Sequence, residues 1–96
     1  MYYFGLILSI ITVCYNAKED LAQTVDSVLS QTWRNFEYIV VDGDSTDGTK
    51  EYLEQLKPSF KEKNITLRYV SEKDEGIYDA MNKGTLMATG HWVMYL

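Results

Sequence analysis

Three short stretches hold the side chains with which this chain could do chemistry. Asp42-Gly43-Asp44-Ser45-Thr46-Asp47-Gly48 gathers three carboxylates and two hydroxyls into one glycine-flanked turn. Asp42 follows the apolar run Phe36 to Val41, and an uncompensated charge at the end of a buried strand is costly. A carboxylate there can accept hydrogen bonds from a nucleobase imide or from ribose hydroxyls, so we assign Asp42 to a ligand. Gly43 and Gly48 permit tight turns and close ligand approach. Asp44, Ser45 and Asp47 also suit turns and helix caps, and Asp47 is assigned to that work.

The second stretch, Cys14-Tyr15-Asn16-Ala17-Lys18-Glu19, has no glycine. A dinucleotide site would place Gly-x-Gly-x-x-Gly here, because backbone must approach the pyrophosphate closely. A Gly-Lys-Ser/Thr phosphate loop is absent too. Tyr15 offers a flat face on which a base could stack, or it packs against its own loop. Asn16 can cap the following helix.

The third stretch runs from Glu72 to Gly84. Asp79 and Asn82, three apart, share one helix face beside an apolar stripe. They contact a ligand near a helix N-terminus, which favours a diphosphate, or they form a solvated polar face. Glu72 to Glu75 are assigned to solvent.

Alternating elements must position these stretches. Leu6 to Val13 is a continuous apolar, β-branched run, as in a strand buried on both faces. Leu21, Val25, Val28 and Leu29 form the stripe of an amphipathic helix. Phe36 to Val41 is a second buried strand. Ser45 or Thr46 can cap a helix carrying Tyr52, Leu53 and Leu56, with Pro58 marking its end. Ile65, Leu67 and Tyr69 alternate with polar residues, which predicts an edge strand. Ile77, Ala80, Met81, Gly84 and Ala88 line the inner side of a third helix, and His91 to Leu96 begins a fourth strand. This β-α-β-α-β-α-β order predicts an α/β fold with a parallel sheet and helices on its faces. Such sheets bind ligands beyond the carboxyl ends of their strands, where strand order reverses. All three chemical stretches fall there.

The bulk properties narrow the field. With 96 residues the chain is one domain or part of one. A hydrophobic share of 46% supports a core and argues against disorder. The net charge of -5, without a Lys or Arg run, argues against a nucleic-acid partner. One cysteine excludes an internal disulfide and suits a reducing compartment, and one histidine beside it excludes the usual zinc clusters. The apolar start, Met1 to Val13, lacks a basic leader and a cleavage site, and it is shorter than the roughly 20 residues of a membrane span. Asn64-Ile65-Thr66 matches a glycosylation sequon by chance.

Taken in order, five segments resemble a family 2 glycosyltransferase of the GT-A fold, of the bacterial polysaccharide-assembly type. They are Ser9 to Asn16, Ser27 to Trp33, Tyr38 to Thr49, Gly76 to Gly84, and Ala88-Thr89-Gly90. The resemblance implies a Rossmann-like nucleotide-binding half with four mostly parallel strands and three helices on the two faces. It implies a nucleotide-diphosphate sugar donor, with Tyr15 on the base and Asp42 on the nucleoside. Val13, Asn16, Glu19, Asp44, Asp79 and Asn82 would complete that site. Many relatives have two adjacent aspartates where this chain has Asp42-Gly43, and the second often contacts the base. Asp42 or Asp44 is then the substitute. Many also have arginine where Met81 stands, which leaves a diphosphate contact open.

In the family an Asp-x-Asp motif after the fourth strand holds a divalent metal, Mg or Mn, on the donor diphosphate, where it neutralises the leaving nucleotide. The chain is expected to stop just before that motif, so metal ligands, catalytic base and acceptor site would lie beyond Leu96. The resemblance further implies a saccharide or lipid-linked acceptor. It implies a cytoplasmic location, peripheral to the inner face of the membrane. Alone, these residues would bind donor and transfer nothing. Two alternatives stay open. One is a nicotinamide-dependent oxidoreductase with Asp42 on the ribose, against which the missing glycine fingerprint argues. The other is a non-catalytic α/β nucleotide-binding or protein-interaction module, with a homodimer covering the open edge of the fourth strand.

Overall fold

A run of β-branched residues with no charge among them can satisfy its backbone and bury both faces only inside a sheet. The computed structural model, which describes residues 8–33 and 35–96, shows that strand as β1, Leu8–Cys14. Leu6 and Ile7, predicted to open it, lie outside the described residues. The elements then alternate as expected. They are α1 (Lys18–Leu29), β2 (Phe36–Asp42), α2 (Thr49–Glu62), β3 (Thr66–Ser71), α3 (Ile77–Met87) and β4 (Trp92–Tyr95).

The strands form one sheet in the order β3-β2-β1-β4, and every pairing is parallel. All seven residues of β2 are buried, as its apolar run requires. β3 lies at one edge, as its alternating pattern predicts, and β4, whose four residues are all exposed in part, lies at the other.

Side chains alternate across the sheet and so divide the core in two. Ile10, Tyr38 and Val40 face α1 and α2, meeting Leu21, Val25, Val28, Leu53, Leu56 and Phe60. Ile11, Ile39 and Val41 face α3 and meet Ala80. Gly84 explains how close α3 comes, because a Cβ there would lie 2.7 Å from Ile11 Cγ2.

Two expectations need correction. The α3 stripe is narrower than its sequence spacing suggests. Only Ala80 and Gly84 are buried, while Ile77 is 59% exposed and Met81 is half-buried. Ile77 opens the helix at the sheet's end, where no strand lies beneath it to cover it. Pro58 does not end α2 but sits inside it, with four more residues following. Those residues include Phe60, buried and stacked on Tyr38 at 5.8 Å between ring centroids. Burying an aromatic side chain contributes up to about 3 kcal/mol, similar to the cost of about 3 kcal/mol for an internal proline. Among the described residues no helix is long and apolar enough to cross a membrane.

Candidate functional site

The chain leaves β1 toward β2 and β3, then returns to the far side of β1 as β4. Strand order therefore reverses at β1, and ligands of such sheets bind beyond the strand ends near that point. Parallel register puts Cys14, Asp42 and Ser71 in one row at those ends. The three chemical stretches of the sequence are the loops that follow this row.

Asp42 is fully buried at the centre of the row. Its Oδ2 accepts hydrogen bonds from the Ser45 backbone N–H at 3.0 Å and from Ser71 Oγ at 2.7 Å. Its Oδ1 accepts from Ser45 Oγ and from Cys14 Sγ, the latter at 3.6 Å. A carboxylate has about four lone-pair sites, and four donors of the chain occupy them. A ligand reaching this carboxylate would have to displace one of these bonds. Burial, and then the Asp42 charge beside it, push the Cys14 thiol up to about 12.

A second set of bonds locks the first loop to the second. Asn16 has a left-handed backbone, φ 48°. Its N–H donates to Ser45 Oγ at 2.8 Å, and its Oδ1 accepts from the Thr46 N–H at 2.8 Å. Asn16 therefore does not cap α1, and Ser45 and Thr46 do not cap α2. Asp47 serves both helix starts. Its carboxylate accepts from the Lys18 N–H of α1 at 3.0 Å, and from the N–H (3.2 Å) and hydroxyl of Thr49 in α2. The Thr49 hydroxyl bond is the leading cause of its lowered pKa. Gly48, at φ 91°, makes the left-handed turn that lets Asp47 reach both.

Tyr15 stands over what these loops enclose, with 63% of its surface exposed. On one side lies a cleft of about 320 Å³ bounded by Val13, Tyr15, Asp74, Gly76, Ile77 and Ala80. On the other lies one of about 520 Å³ bounded by Tyr15, Gly43, Asp44, Lys73, Asp74 and Gly76. These volumes are typical of small-molecule sites. Asp44 is exposed, with φ 69°, and pairs with Lys50.

The structure separates the other sequence candidates from these clefts. Glu19 borders a different hollow, along the start of α1. Asp79 accepts from the Glu75 N–H at 2.9 Å and pairs with Lys83 at 3.6 Å, so it organises the start of α3. Asn82 is exposed on α3, and neither Asp79 nor Asn82 lines either cleft. Asp74, assigned to solvent by sequence, is instead half-buried and borders both clefts. Its one sequence signal is the glycine two residues on, which lets the loop turn inward at φ 115°. Among the described residues no group of three or more His, Cys, Asp or Glu side chains could hold a metal ion.

A parallel sheet with helices on both faces, whose loops leave an exposed aromatic ring over an acid-lined cleft, places the chain in the α/β class. The particular family follows from comparison with known proteins. Residues 9–96 match the model of Glycosyl transferase family 2, and the chain belongs to that family. It is 40% identical over 88 residues to a PGL/p-HBAD biosynthesis glycosyltransferase of Mycobacterium tuberculosis, covering 92% of this chain and 33% of the relative. It is 38% identical over 90 residues to the putative teichuronic acid biosynthesis glycosyltransferase TuaG of Bacillus subtilis, covering 94% and 34%. The chain thus spans about a third of the length of these relatives. Among solved structures, the mannosyltransferase PcManGT of Pyrobaculum calidifontis, in complex with GDP-Man and Mn2+, superposes with a TM-score of 0.76 at 25% identity. That match covers 90% of this chain and 25% of the other. S. aureus TarS in complex with UDP-GlcNAc superposes at 0.78 and 24% identity, covering 95% and 26%, and supports the GT-A fold.

Proposed function

We propose that residues 1–96 form the N-terminal donor-binding part of a glycosyltransferase domain. The enzyme transfers a sugar from a nucleotide-diphosphate donor to an acceptor hydroxyl in cell-surface polysaccharide synthesis. The observation that carries this reading is the cleft under Tyr15, at the strand-order reversal of a family 2 chain. The Bacillus relative named for teichuronic acid biosynthesis supports the polysaccharide context, and the mannosyltransferase with GDP-Man supports the donor class.

In this reading the base stacks on Tyr15, with Val13 beneath. Asp44 borders the same space, and Asn16 holds the loop that presents Tyr15. Asp79 acts on the α3 side by fixing that helix's start, and Asn82 lies exposed further along the same helix. Asp42 holds the loops together. The donor's diphosphate takes a divalent cation, as the Mn2+ of the mannosyltransferase suggests. We assign its ligands to the segment that follows Leu96 in the whole enzyme. The enzyme works in the cytoplasm against the inner face of the membrane.

Titrating the full chain with UDP and with GDP tests this. Saturable binding of at least one is expected. Stacking on an aromatic ring is worth about 1–3 kcal/mol per base, so Tyr15→Ala weakens binding about 5- to 150-fold. Absence of binding by every nucleoside diphosphate overturns the reading.

A further inference from the structure

Gly43 has no side chain to fill the space between the loops after β2 and β3, and the structure shows what takes that space. A Cβ built on Gly43 would lie 3.0 Å from Asp74 Oδ2 and 3.4 Å from Tyr15 Cδ1. The Asp74 carboxylate, from the β3–α3 loop, thus takes the position that a side chain at 43 would occupy. It is held there: its Oδ1 accepts the Gly76 N–H at 3.1 Å. Its Oδ2 has no hydrogen-bond partner among the described residues. It therefore contrasts with Asp42, whose lone pairs are all engaged. Asp74 and Tyr15 border the same two clefts, so one free carboxylate oxygen lies beside one exposed aromatic face.

We infer that Asp74 is the specificity-determining carboxylate for the donor's base, accepting the ring imide N–H of a uracil or guanine stacked on Tyr15. The inference rests on the donor-binding reading above. An ionised carboxylate only accepts hydrogen bonds. Uracil and guanine present an N–H donor at that ring position, while cytosine and adenine present a lone pair, which the carboxylate repels. The backbone at Gly43 has no positive φ, so glycine is required there for space rather than for conformation. A carboxylate at 43 would crowd that of Asp74, and two acids pressed together cannot both stay ionised cheaply. Aspartate at 43 and aspartate at 74 are therefore alternatives for one job.

The test is titration of the full chain with UDP, GDP, CDP and ADP. The unmodified protein binds UDP or GDP at least about 10-fold more tightly than CDP and ADP, and the two arms distinguish uracil from guanine. Asp74→Asn keeps an oxygen for the Gly76 N–H and so keeps the loop. It loses the preference, with affinity for the favoured nucleotide down about 10- to 100-fold. Gly43→Asp alone also weakens binding, because the two acids crowd. Combined with Asp74→Ala, Gly43→Asp restores the preference for imide bases. Binding that keeps its preference in Asp74→Asn overturns this inference and leaves the donor-binding reading standing. A preference lost and not recovered in the double variant overturns it too, since Asp74 then only shapes its loop. Absence of binding by all four nucleotides overturns the donor-binding reading itself.

Discussion

β2 ends in a buried carboxylate at each side, and the two ends are used differently. At its start Glu37 is 1% exposed and faces the α3 side of the sheet. Its Oε2 accepts from Ser9 Oγ at 2.7 Å, the Thr89 N–H at 2.7 Å and Thr89 Oγ1 at 2.9 Å, and its Oε1 accepts from Arg68 at 3.2 Å. Burial pushes this carboxyl up, but the donors outweigh it and its pKa falls below the ordinary 4.5. Gly90 clamps the same corner. Its N–H donates to Ser9 Oγ at 2.8 Å, and a Cβ there would lie 2.8 Å from the β1 backbone. At the far end Asp42 is equally enclosed and equally saturated. Burial and hydrogen-bond saturation of a strand-end carboxylate therefore do not by themselves tell the two ends apart. What differs is the surrounding loops. Those at the Asp42 end hold a surplus, the open ring of Tyr15 and the free oxygen of Asp74, while the Glu37 end is sealed by the segment after α3.

The largest expected effect lies at the sealed end. Glu37→Ala leaves the Ser9 hydroxyl and the Thr89 N–H and hydroxyl without their acceptor and removes one bond from the partly exposed Arg68, at a cost of about 3–5 kcal/mol in urea unfolding. Nucleotide affinity of the folded fraction stays unchanged; a loss of affinity without a loss of stability would erase the contrast. The milder Glu37→Gln sharpens it by pH. The folded pKa lies below 4.5, so the ionised carboxylate stabilises the fold above pH 4.5. That contribution disappears as pH falls through the folded value. The melting temperature of the unmodified chain should therefore drop more steeply below pH 4.5 than that of Glu37→Gln.

A smaller stability effect, joined to a functional one, is expected at the open end. Asp42→Ala leaves the Ser45 N–H unpaired and costs about 2–3 kcal/mol. Nucleotide affinity falls with it, because the loops that present Tyr15 lose their tie. Unchanged affinity would make the two ends equivalent. The smallest effect concerns Cys14. With its thiol pushed up from 9.0 to about 12, the thiolate at pH 8 is about 1,000-fold scarcer than for an ordinary cysteine. Alkylation by iodoacetamide should be correspondingly slow in the folded chain and become fast in urea. Asp42→Ala should speed it, since the Asp42 charge and hydrogen bond are among the causes of the rise.

Local pattern carried most of the architecture. The β-branched runs of β1 and β2, the alternation of β3 and the stripe of α1 each depend on residues a few positions apart. Periodicity therefore reports them directly. Pro58 misled because its cost is local while its compensation, Phe60 on Tyr38, crosses from helix to sheet. The acidic turn was legible as a polar cluster at the strand ends but not in how its hydrogen bonds are divided. Ser71 lies 29 residues from Asp42, and only parallel register puts them in one row. Asp74 was illegible for the same reason: its meaning depends on an empty space above Gly43, 31 positions earlier, that only the packed loops define. Sequence alone determined that strands and helices alternate and that chemistry gathers at the carboxyl ends. Tertiary structure decided which carboxylates are consumed and which keeps a free lone pair, because hydrogen-bond saturation is a property of neighbours brought together in space.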